Sequence, residues 1–487
     1  MEKKEESSST CLSYFKDKEF LKGLSTVIGA IFVNLIAGSI FPLNSLAVYE
    51  ISYIRHVDPE STITVDNLIF YYPFEIFFQC LSSFACGIIE KKIGLYYTNF
   101  LGFSIYGLGY FTMYLSRSFA ADILSMILCG IGNGIIYYPS TKNACMWFPN
   151  HMGIVMGIME TMISIGSFIF SVMGEHVINR EAIESNEEQI YDKEISLRMK
   201  TYLIIQIACL IGVYIISSLM TFVPKVKPEE VEKLIQDDSH KINDINSSNE
   251  SNESNKKDYK KMIIHALKSK RMILYIFLSI CFHQAPNMQF SLFRVVGEYE
   301  NIDQDVLQWI NSINFIFECL SGIIVGVLCD YMNLRILMGI ITLSMSVLIF
   351  TYCLSFSSSI AFFFSTNLIT FINGGIYPFD DCYMMKVFGP DIYIELMGIN
   401  TCITNTVVLS LTPLSYYVES TVENKHQAFW ILFSSFGVTS VIAFVLGLFI
   451  NPSPFNYEER FNLSAKKIKD GSEGINVELA EKDSSTN

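Results

Sequence analysis

The sequence predicts an all-α polytopic membrane protein whose twelve transmembrane helices form two six-helix bundles. Three observations support this fold class. The 487 residues are 51% hydrophobic and 17% charged, the apolar residues fall into twelve long segments, and one polar stretch divides those segments into two sets of six. About 20 apolar residues cross a bilayer as a helix. A helix is also the open-chain structure that satisfies its own backbone hydrogen bonds in lipid.

Composition also restricts the function. The mean hydropathy of +0.36 is too high for a soluble protein of this size, and twelve spans leave little chain for a catalytic domain. The formal net charge of −14 disfavours a nucleic-acid partner, because nucleic acids attract basic surfaces. The sequence contains no nucleotide-binding motif, metal-ligand cluster or nucleophile–base pair. We therefore expect no enzyme activity, no cofactor and no metal site.

The 12 cysteines are scattered along the chain and form no CxxC pair. Nearly all of them lie inside apolar segments, where cysteine behaves as a small apolar residue. We therefore predict free thiols and no disulfides.

The apolar segments set the predicted domain boundaries. In chain order they cover residues 23–51, 67–89, 95–115, 119–144, 152–174, 201–223, 272–294, 306–329, 335–356, 359–385, 392–417 and 427–450. The predicted parts are an N-terminal tail (1–21), an N-terminal bundle (22–223), a linker (224–270), a C-terminal bundle (271–450) and a C-terminal tail (451–487). The linker contains Asn246-Ser-Ser-Asn-Glu-Ser-Asn-Glu-Ser-Asn255, a composition that cannot form a core, so we predict that it is disordered.

Basic residues predict the orientation of the chain. If both termini and the linker are cytoplasmic, 26 of the 34 lysines and arginines lie on that side and 8 on the other. This bias follows the rule that short cytoplasmic loops are enriched in basic residues. We therefore expect cytoplasmic termini. No targeting motif decides between membranes, and we expect the plasma membrane rather than an organelle membrane.

The two halves of the chain are related by an internal repeat. Gln79-Cys-Leu-Ser82 in the second segment recurs as Glu318-Cys-Leu-Ser321 in the eighth, and Asn133-Gly134 in the fourth recurs as Asn373-Gly374 in the tenth. Repeats at a nearly constant offset are typical of transporters whose two halves face one another across a central cavity.

Two further copies of one pattern carry a family resemblance. The first copy reads Gly87-Ile-Ile-Glu90-Lys91-Lys92-Ile-Gly94, and the second reads Gly326-Val-Leu-Cys-Asp330-Tyr-Met-Asn-Leu-Arg335. Together they resemble the signature Gly-x-x-x-Asp-Arg-x-Gly-Arg-Arg of the major facilitator superfamily. The resemblance implies alternating-access transport. It also implies a gating role for the matching residues Gly87, Lys91, Lys92, Gly94, Gly326, Asp330 and Arg335.

A second resemblance is narrower. Gly132-Asn-Gly134-Ile-Ile-Tyr137-Tyr-Pro139, followed by Trp147-Phe148-Pro149, is similar to the oxalate/formate-exchanger and monocarboxylate-transporter branch of that superfamily. The sequence departs from this branch in the eighth and eleventh segments. There it carries Glu318, Thr401 and Asn405 instead of the basic residues with which those exchangers bind carboxylates.

Titratable side chains in the apolar segments are candidates for proton coupling, because a charge inside a membrane is costly and usually functional. These candidates are Glu318, Glu75 and His283. Burial favours the neutral form of a carboxylic acid, and histidine titrates near neutral pH. A structural role in helix packing is the alternative for each.

Other polar side chains in these segments are candidates for the cavity or for gates. Those expected to line a substrate cavity are Asn34, Tyr72, Gln79, Tyr137, Gln284, Asn287, Asn311, Asn314, Tyr377, Thr401 and Asn405. Glu160 is expected to act as a gate or as a tie between helices, with a substrate contact as the alternative. Asp380 and Asp381 are expected to form an inner gate by pairing with Lys142 or Lys386.

The sequence as a whole favours a secondary-active transporter that moves a small organic solute by alternating access, together with protons. The excess of acids over bases favours a neutral or cationic solute if the acids bind it, whereas a monocarboxylate or another small metabolite fits if the acids carry protons. The alternative is a transporter-like solute sensor without net flux. The expected partners are the solute, protons and membrane lipids, with no nucleic acid, and we expect a monomer.

Overall fold

The computed structural model describes residues 18–58, 63, 71–181, 183, 190–224, 251–422 and 424–455. Within them, twelve long helices correspond to the twelve predicted segments, which confirms the predicted fold class. The first helix, α1, has two α-helical parts, Lys18–Ala37 and Phe41–Val57, joined by a 3-10 turn at Gly38–Ile40.

The remaining helices follow in chain order. The N-terminal bundle continues with α2 (Tyr71–Ile93), α3 (Leu95–Leu115), α4 (Phe119–Trp147), α5 (Met152–Ile178) and α6 (Lys193–Met220). The C-terminal bundle contains α7 (Lys270–Tyr299), α8 (Gln304–Tyr331), α9 (Leu334–Tyr352), α10 (Ser359–Phe388), α11 (Tyr393–Thr421) and α12 (Lys425–Gly447).

The linker prediction needs a correction at its C-terminal end. Residues 224–270 were expected to be disordered, but Ser251–Leu267 form an α-helix, which we call the linker helix. Residues 225–250 lie outside the described residues. The linker helix and both ends of the described chain lie on one side of the bundles, called the linker side; the opposite side is called the far side.

Length and composition qualify eight of the described helices as membrane spans: α1, α4, α5, α6, α8, α9, α10 and α12. The others, α2, α3, α7 and α11, are less apolar because polar residues interrupt them. At the contact between α2 and α11, Asn405 donates from Nδ2 to Sγ of Cys80, 3.4 Å away. Lower hydropathy in such helices is consistent with a buried polar interior rather than a lipid-facing surface.

The helices α3, α6, α9 and α12 are peripheral. They pack on the rest of their bundles, with α3 against α6 and α9 against α12. Apolar side chains such as Leu108, Ile211, Val347 and Val438 are about half exposed on their outer faces. A continuous apolar surface of this kind is suited to contact with lipid.

A buried charge cluster joins the helix ends of the N-terminal bundle on the far side. Lys200 pairs with Glu50 and donates to the carbonyl oxygen of Met113 at 2.9 Å. Beside this pair, Tyr71 donates to Asp122 at 3.0 Å. Lone buried charges are costly, so these partners stabilise one arrangement of the helix ends. Sequence reasoning missed the cluster, because its members are far apart in the chain.

The two bundles contact each other along α5 and α8 on the linker side. Gly153 packs on Gly326 and Gly157 on Gly322, so closely that a Cβ on Gly157 would collide with the carbonyl oxygen of Gly322. We call these four glycines the α5–α8 seam. Small residues permit this close approach of helix backbones. The contact continues towards the far side, where the Phe168 and Phe315 rings stack 3.9 Å apart.

A larger side chain in the α5–α8 seam should separate the bundles on the linker side. We expect Gly157→Val to increase labelling of Cys319 by a soluble maleimide about tenfold, because overpacking costs roughly 1–3 kcal/mol. The thiol of Cys319 faces the carbonyl oxygen of Thr161 across the seam. The rate is measured by mass spectrometry on protein in nanodiscs.

The matched control is Gly212→Val on α6, because a Cβ at Gly212 meets nothing within 4 Å. It should leave the labelling of Cys319 unchanged. Equal rates in Gly157→Val and in the wild type would contradict the role of the seam in holding the bundles together.

Candidate functional site

A tyrosine on α4 connects two carboxyl groups from opposite bundles. The Tyr137 hydroxyl contacts Oε1 of Glu160 on α5 and lies 2.9 Å from Oδ2 of Asp381 on α10. Tyr137 and Asp381 are buried, and Glu160 is half-buried. We call these three residues the carboxyl bridge.

The carboxyl bridge requires a proton in addition to that of the tyrosine. A phenol has a single hydrogen and can donate to only one acceptor. If Tyr137 donates to one carboxylate, its second contact is a hydrogen bond only when the other carboxyl group is protonated and donates to the phenol oxygen. Two ionised carboxylates at one buried hydroxyl would leave an unpaired negative charge, which is costly. The geometry therefore fits a site that holds one proton between the two acids.

Glycines and prolines on α4 and α10 position the bridge. Gly134 packs against the carbonyl oxygen of Gln79, and Gly374 packs against Glu318, so each helix lies close to its neighbour. Each of the two helices also contains an internal proline, Pro139 or Pro378. Proline lacks the backbone N–H and leaves a carbonyl without its helical partner, which introduces local polarity near the bridge.

Asp380 lies next to the bridge and has its own partners in the C-terminal bundle. Tyr275 on α7 donates to Oδ1 of Asp380 at 2.5 Å, and Nε2 of His283 lies 3.5 Å from Oδ2. The His283 ring is also 5.8 Å from that of Tyr377. The predicted coupling residue His283 is therefore adjacent to an acid that sequence reasoning had assigned to a gate.

Glu318 on α8 completes a group of four acids. Its side chain packs against Gly374 of α10, and it lies close enough to Glu160 for their charges to interact. We call Glu160, Glu318, Asp380 and Asp381 the acidic site. The partners that the described residues supply to this site are hydroxyl groups and one histidine. This environment suits protons or positive charge better than an anion.

The expected pairing of Asp380 and Asp381 with lysine is wrong in this structure. Lys142 pairs instead with Glu90 at 2.9 Å, and Lys386 with Asp330 at 3.0 Å. The reason is position: the two aspartates lie one to two helical turns further into the bundle than Lys386, where the tyrosines of α4 and α7 reach them.

Asp330 forms a gate contact between the bundles on the linker side. Its two carboxylate oxygens accept hydrogen bonds from the backbone N–H groups of Gly153 and Ile154, each at 2.9 Å. These groups belong to the first turn of α5, where N–H groups lack helical partners and the helix dipole favours a negative charge. Lys386 holds the same carboxylate from its own bundle.

The second contact between the bundles on the linker side involves α2 and α11. Gly398 packs on Phe84, and a Cβ on Gly87 would collide with the Glu395 carboxyl group. With the Cys80–Asn405 hydrogen bond, these residues form the α2–α11 seam. Sequence reasoning missed Glu395. One feature of the sequence could have indicated it. Lys91 stands where the family signature has an acid, and a base at that position favours an acid on the facing helix.

Glu75 lies apart from the other coupling candidates. It is fully buried inside the N-terminal bundle near Tyr106 and Cys129, and neither of its carboxyl oxygens has a hydrogen-bond partner among the described residues. An ionised carboxylate in such a position would be very costly, which favours its neutral form. Its role in coupling stays a prediction.

The other predicted cavity residues occupy several environments. Asn34 donates to the Sδ atom of Met159 on α5, and Asn287 donates to the carbonyl oxygen of His283. Thr401 donates to its own helix. The side chains of three more predicted cavity residues are buried or half-buried: Gln79, Gln284 and Asn314. The side chains of Tyr72 and Asn311 lie outside the described residues.

The other predicted gate residues lie at helix ends on the linker side. Gly94 forms the turn between α2 and α3 with φ of 81°, a conformation that favours glycine. Arg335 donates from Nε to the carbonyl oxygen of Ile450 at 2.7 Å, which ties α9 to the end of α12. Lys92 is exposed. Four signature residues make contacts outside their own bundle in the described part of the chain. The opposite bundle is contacted by Asp330, Gly326 and Gly87, and the linker helix by Lys91.

Comparison with solved structures identifies the fold. The chain is similar to the E. coli fucose transporter FucP in its outward conformation, with 14% identity, a TM-score of 0.62 and coverage of 88% of this chain and 99% of FucP. It is also similar to the proton:xylose symporter XylE (14% identity, TM-score 0.62, 89% and 97% covered) and to the human organic anion transporter MFSD10 (12% identity, TM-score 0.58, 89% and 100% covered).

These likenesses establish that the chain has the fold of the major facilitator superfamily. No protein-family model matches the sequence, and no curated protein matches it. The resemblance to the monocarboxylate branch therefore rests on the sequence motifs alone.

The Asp330 contact predicts the protection of two amide groups. Asp330→Asn removes the charge and one acceptor oxygen, so the amides of Gly153 and Ile154 should exchange with deuterium about tenfold faster, since a cap of this kind contributes roughly 1 kcal/mol or more. Asp192→Asn is the control, because Asp192 precedes α6 without a side-chain cap. Unchanged exchange at α5 in Asp330→Asn would refute the gate contact.

Proposed function

We propose that the protein is a secondary-active transporter that moves a small organic solute by alternating access and couples this movement to protons. The observation that carries the proposal is the carboxyl bridge, in which acids from opposite bundles share the hydroxyl of Tyr137. The protonation of the bridge and the relative position of the bundles are linked, because the carboxyl groups that bind the proton also form the contact between the bundles.

The arrangement of the bundles supports alternating access. They are joined on the linker side by the α5–α8 and α2–α11 seams and by Asp330. Such contacts between preformed helices can break and re-form as two rigid bundles rock against each other around a central site. FucP, one of the structures of similar fold, is in an outward conformation.

The carboxyl bridge supplies a physical route for coupling. While one acid is protonated, Tyr137 can hydrogen-bond to both carboxyl groups and hold the bundles together. Loss of the proton leaves two negative charges at one hydroxyl, and their repulsion favours separation of Glu160 from Asp381. We assign the coupling proton to this bridge rather than to Glu318, because the bridge joins acids from both bundles through one hydroxyl.

We propose a neutral or cationic solute. Four acids and several tyrosines form the acidic site and its surroundings, and histidine is the basic group that the described residues place in contact with it. FucP and XylE, named as proton symporters of fucose and xylose, are consistent with a neutral solute in this fold. Nothing in the described residues favours the solute sensor that the sequence left open.

A monocarboxylate is the second candidate, supported by the motif Gly132–Pro149 and by the name of MFSD10 as an organic anion transporter. In that case the acids carry protons and an anion binds while they are neutral. We further propose that the linker side is cytoplasmic, that the protein lies in the plasma membrane and that it acts as a monomer.

The direct test is solute uptake into liposomes by purified protein, with and without a proton gradient. The panel contains sugars, amines and monocarboxylates, so it also separates the two solute classes. We expect a sugar or an amine to accumulate when the gradient is present. Uptake of no solute in either condition would contradict transport.

The coupling assignment predicts distinct behaviour for two conservative variants. Asp381→Asn should lose accumulation driven by the gradient by at least about tenfold, since it removes a proton-carrying group of the bridge. It should retain exchange of solute present on both sides. Glu318→Gln should keep accumulation, and Glu194→Gln, an exposed acid on α6, is the control for expression. Loss of accumulation in Glu318→Gln but not in Asp381→Asn would transfer the coupling role to Glu318.

A further inference from the structure

A short segment after α12 is anchored on the C-terminal bundle and presents one serine to solvent. The ring of Phe455 is buried, with its centroid 5.7 Å from that of Phe388 at the end of α10. The backbone N–H of Phe455 donates to the carbonyl oxygen of Val387 at 2.7 Å. Ser453, two residues earlier, is exposed. The segment is therefore held in place at Phe455 while Ser453 remains accessible.

Prolines on both sides of Ser453 keep this segment extended. Pro452 and Pro454 each fix their own φ, and Pro454 also disfavours the helical conformation at Ser453. The sequence contains one other serine or threonine that is followed by proline, Thr412, and its backbone is helical within α11. A protein kinase that selects proline after the acceptor binds its substrate as an extended chain. Of the two positions, Ser453 therefore suits such a kinase.

A guanidinium group without a charged partner lies beside this serine. Nη1 of Arg271, in the first turn of α7, donates to the carbonyl oxygen of Ser453 at 2.7 Å and lies 3.4 Å from that of Pro454. The same guanidinium is 5.8 Å from the centroid of the Phe455 ring. The partners of Arg271 in the described part of the chain are thus two carbonyl oxygens and one aromatic ring, all of them neutral.

A phosphate on Ser453 would supply the anion that Arg271 lacks. Phosphoserine carries a charge of about −1.5 to −2 at pH 7 and three strong acceptor oxygens, and a guanidinium binds phosphate through two parallel hydrogen bonds. Arg271 already contacts the backbone of Ser453, so the phosphate lies within its reach. The exposed side chains of Lys268 and Lys270 add positive charge nearby. The first turn of α7 contains no acid, and its dipole favours a negative charge there.

We propose that Ser453 is a phosphorylation site and that Arg271 binds the phosphate, which ties the segment after α12 to the start of α7. The phosphoryl donor is ATP, and the catalyst is a kinase of the proline-selecting class. The bond between Pγ and the oxygen that bridges to the β-phosphate breaks, Oγ of Ser453 bonds to Pγ, the hydroxyl proton is released and ADP leaves. The proposal rests on the cytoplasmic orientation of the linker side proposed above, because ATP and kinases are cytoplasmic.

The tie acts on a helix that reaches the acidic site. Tyr275 lies one helical turn after Arg271 and donates to Asp380 at 2.5 Å. The Tyr275 ring also stacks on that of Tyr383, with the centroids 4.4 Å apart. Phosphorylation of Ser453 therefore adds a constraint to the helix that holds Asp380, without contact with the carboxyl bridge.

The site is tested on purified protein in nanodiscs, which expose both sides of the membrane, so the result depends neither on the orientation nor on transport. A proline-selecting kinase that phosphorylates a free peptide of residues 449–457 is incubated with the protein and ATP. Mass spectrometry should find one phosphate on Ser453, and Ser453→Ala should stay unmodified. Absence of phosphate from Ser453 in the protein, or failure of every such kinase on the peptide, would overturn the site.

The role of Arg271 is tested by titration of the phosphate. A neighbouring cation favours the dianion, so the second pKa of phosphoserine, ordinarily about 6, should be lower by about 0.5 or more in the wild type than in Arg271→Gln. The titration is followed by phosphorus NMR in a detergent that contains no phosphorus. Arg198→Gln, which removes an arginine paired with Glu194 on α6, should match the wild type. Equal pKa values in the wild type and in Arg271→Gln would overturn the role of Arg271.

The tie itself is tested by deuterium exchange at the Phe455 amide, which donates to Val387. Phosphorylation should slow this exchange about threefold in the wild type and leave it unchanged in Arg271→Gln. The comparison of phosphorylated with unmodified wild type needs no variant, so it decides even where Arg271→Gln does not fold. Exchange at Phe455 that is unaffected by phosphorylation of the wild type would overturn the tie.

Discussion

The structure depends on one constraint: a single phenolic hydroxyl, which has one hydrogen to donate, contacts two carboxyl groups that belong to different bundles. Tyr137 contacts both Glu160 and Asp381, so the bridge is complete only when one acid is neutral. The glycines of the α5–α8 seam make this contact possible, because larger residues there would keep the bundles apart. In the coupling that we propose, packing on the linker side and proton occupancy of the site are parts of one equilibrium.

The two seams close the linker side by different chemistry. Asp330 binds backbone N–H groups of α5, a contact between a full charge and a helix end. At the other seam, Lys91 lies over the ring of Tyr259 in the linker helix, and the Tyr259 hydroxyl donates to Glu395. The internal repeat explains why both contacts occur at equivalent helix ends. The first signature copy lacks the acid, and there the contact is made with a residue of the linker helix.

Sequence reasoning succeeded where local composition decides the outcome. Segment length and hydropathy predict the twelve helices, and the repeated glycines mark places where helices approach closely. Sequence reasoning failed where contacts with a neighbouring helix determine the position of a side chain or the formation of a helix. Spacing places Glu75 and Gln79 on one face of α2 but does not reveal that Glu75 packs inside its own bundle. The polar composition of the linker likewise concealed a helix, because one tyrosine contact carries little compositional signal.

Infrared difference spectroscopy tests the shared proton most directly. At neutral pH, wild-type protein with the linker side closed should show a carbonyl band of a protonated carboxylic acid that is absent from the Glu160→Gln/Asp381→Asn double variant. Other neutral acids, such as Glu75, contribute equally to both spectra and cancel in the difference. Identical spectra in the acid carbonyl region would mean that the bridge holds no proton and would contradict the account.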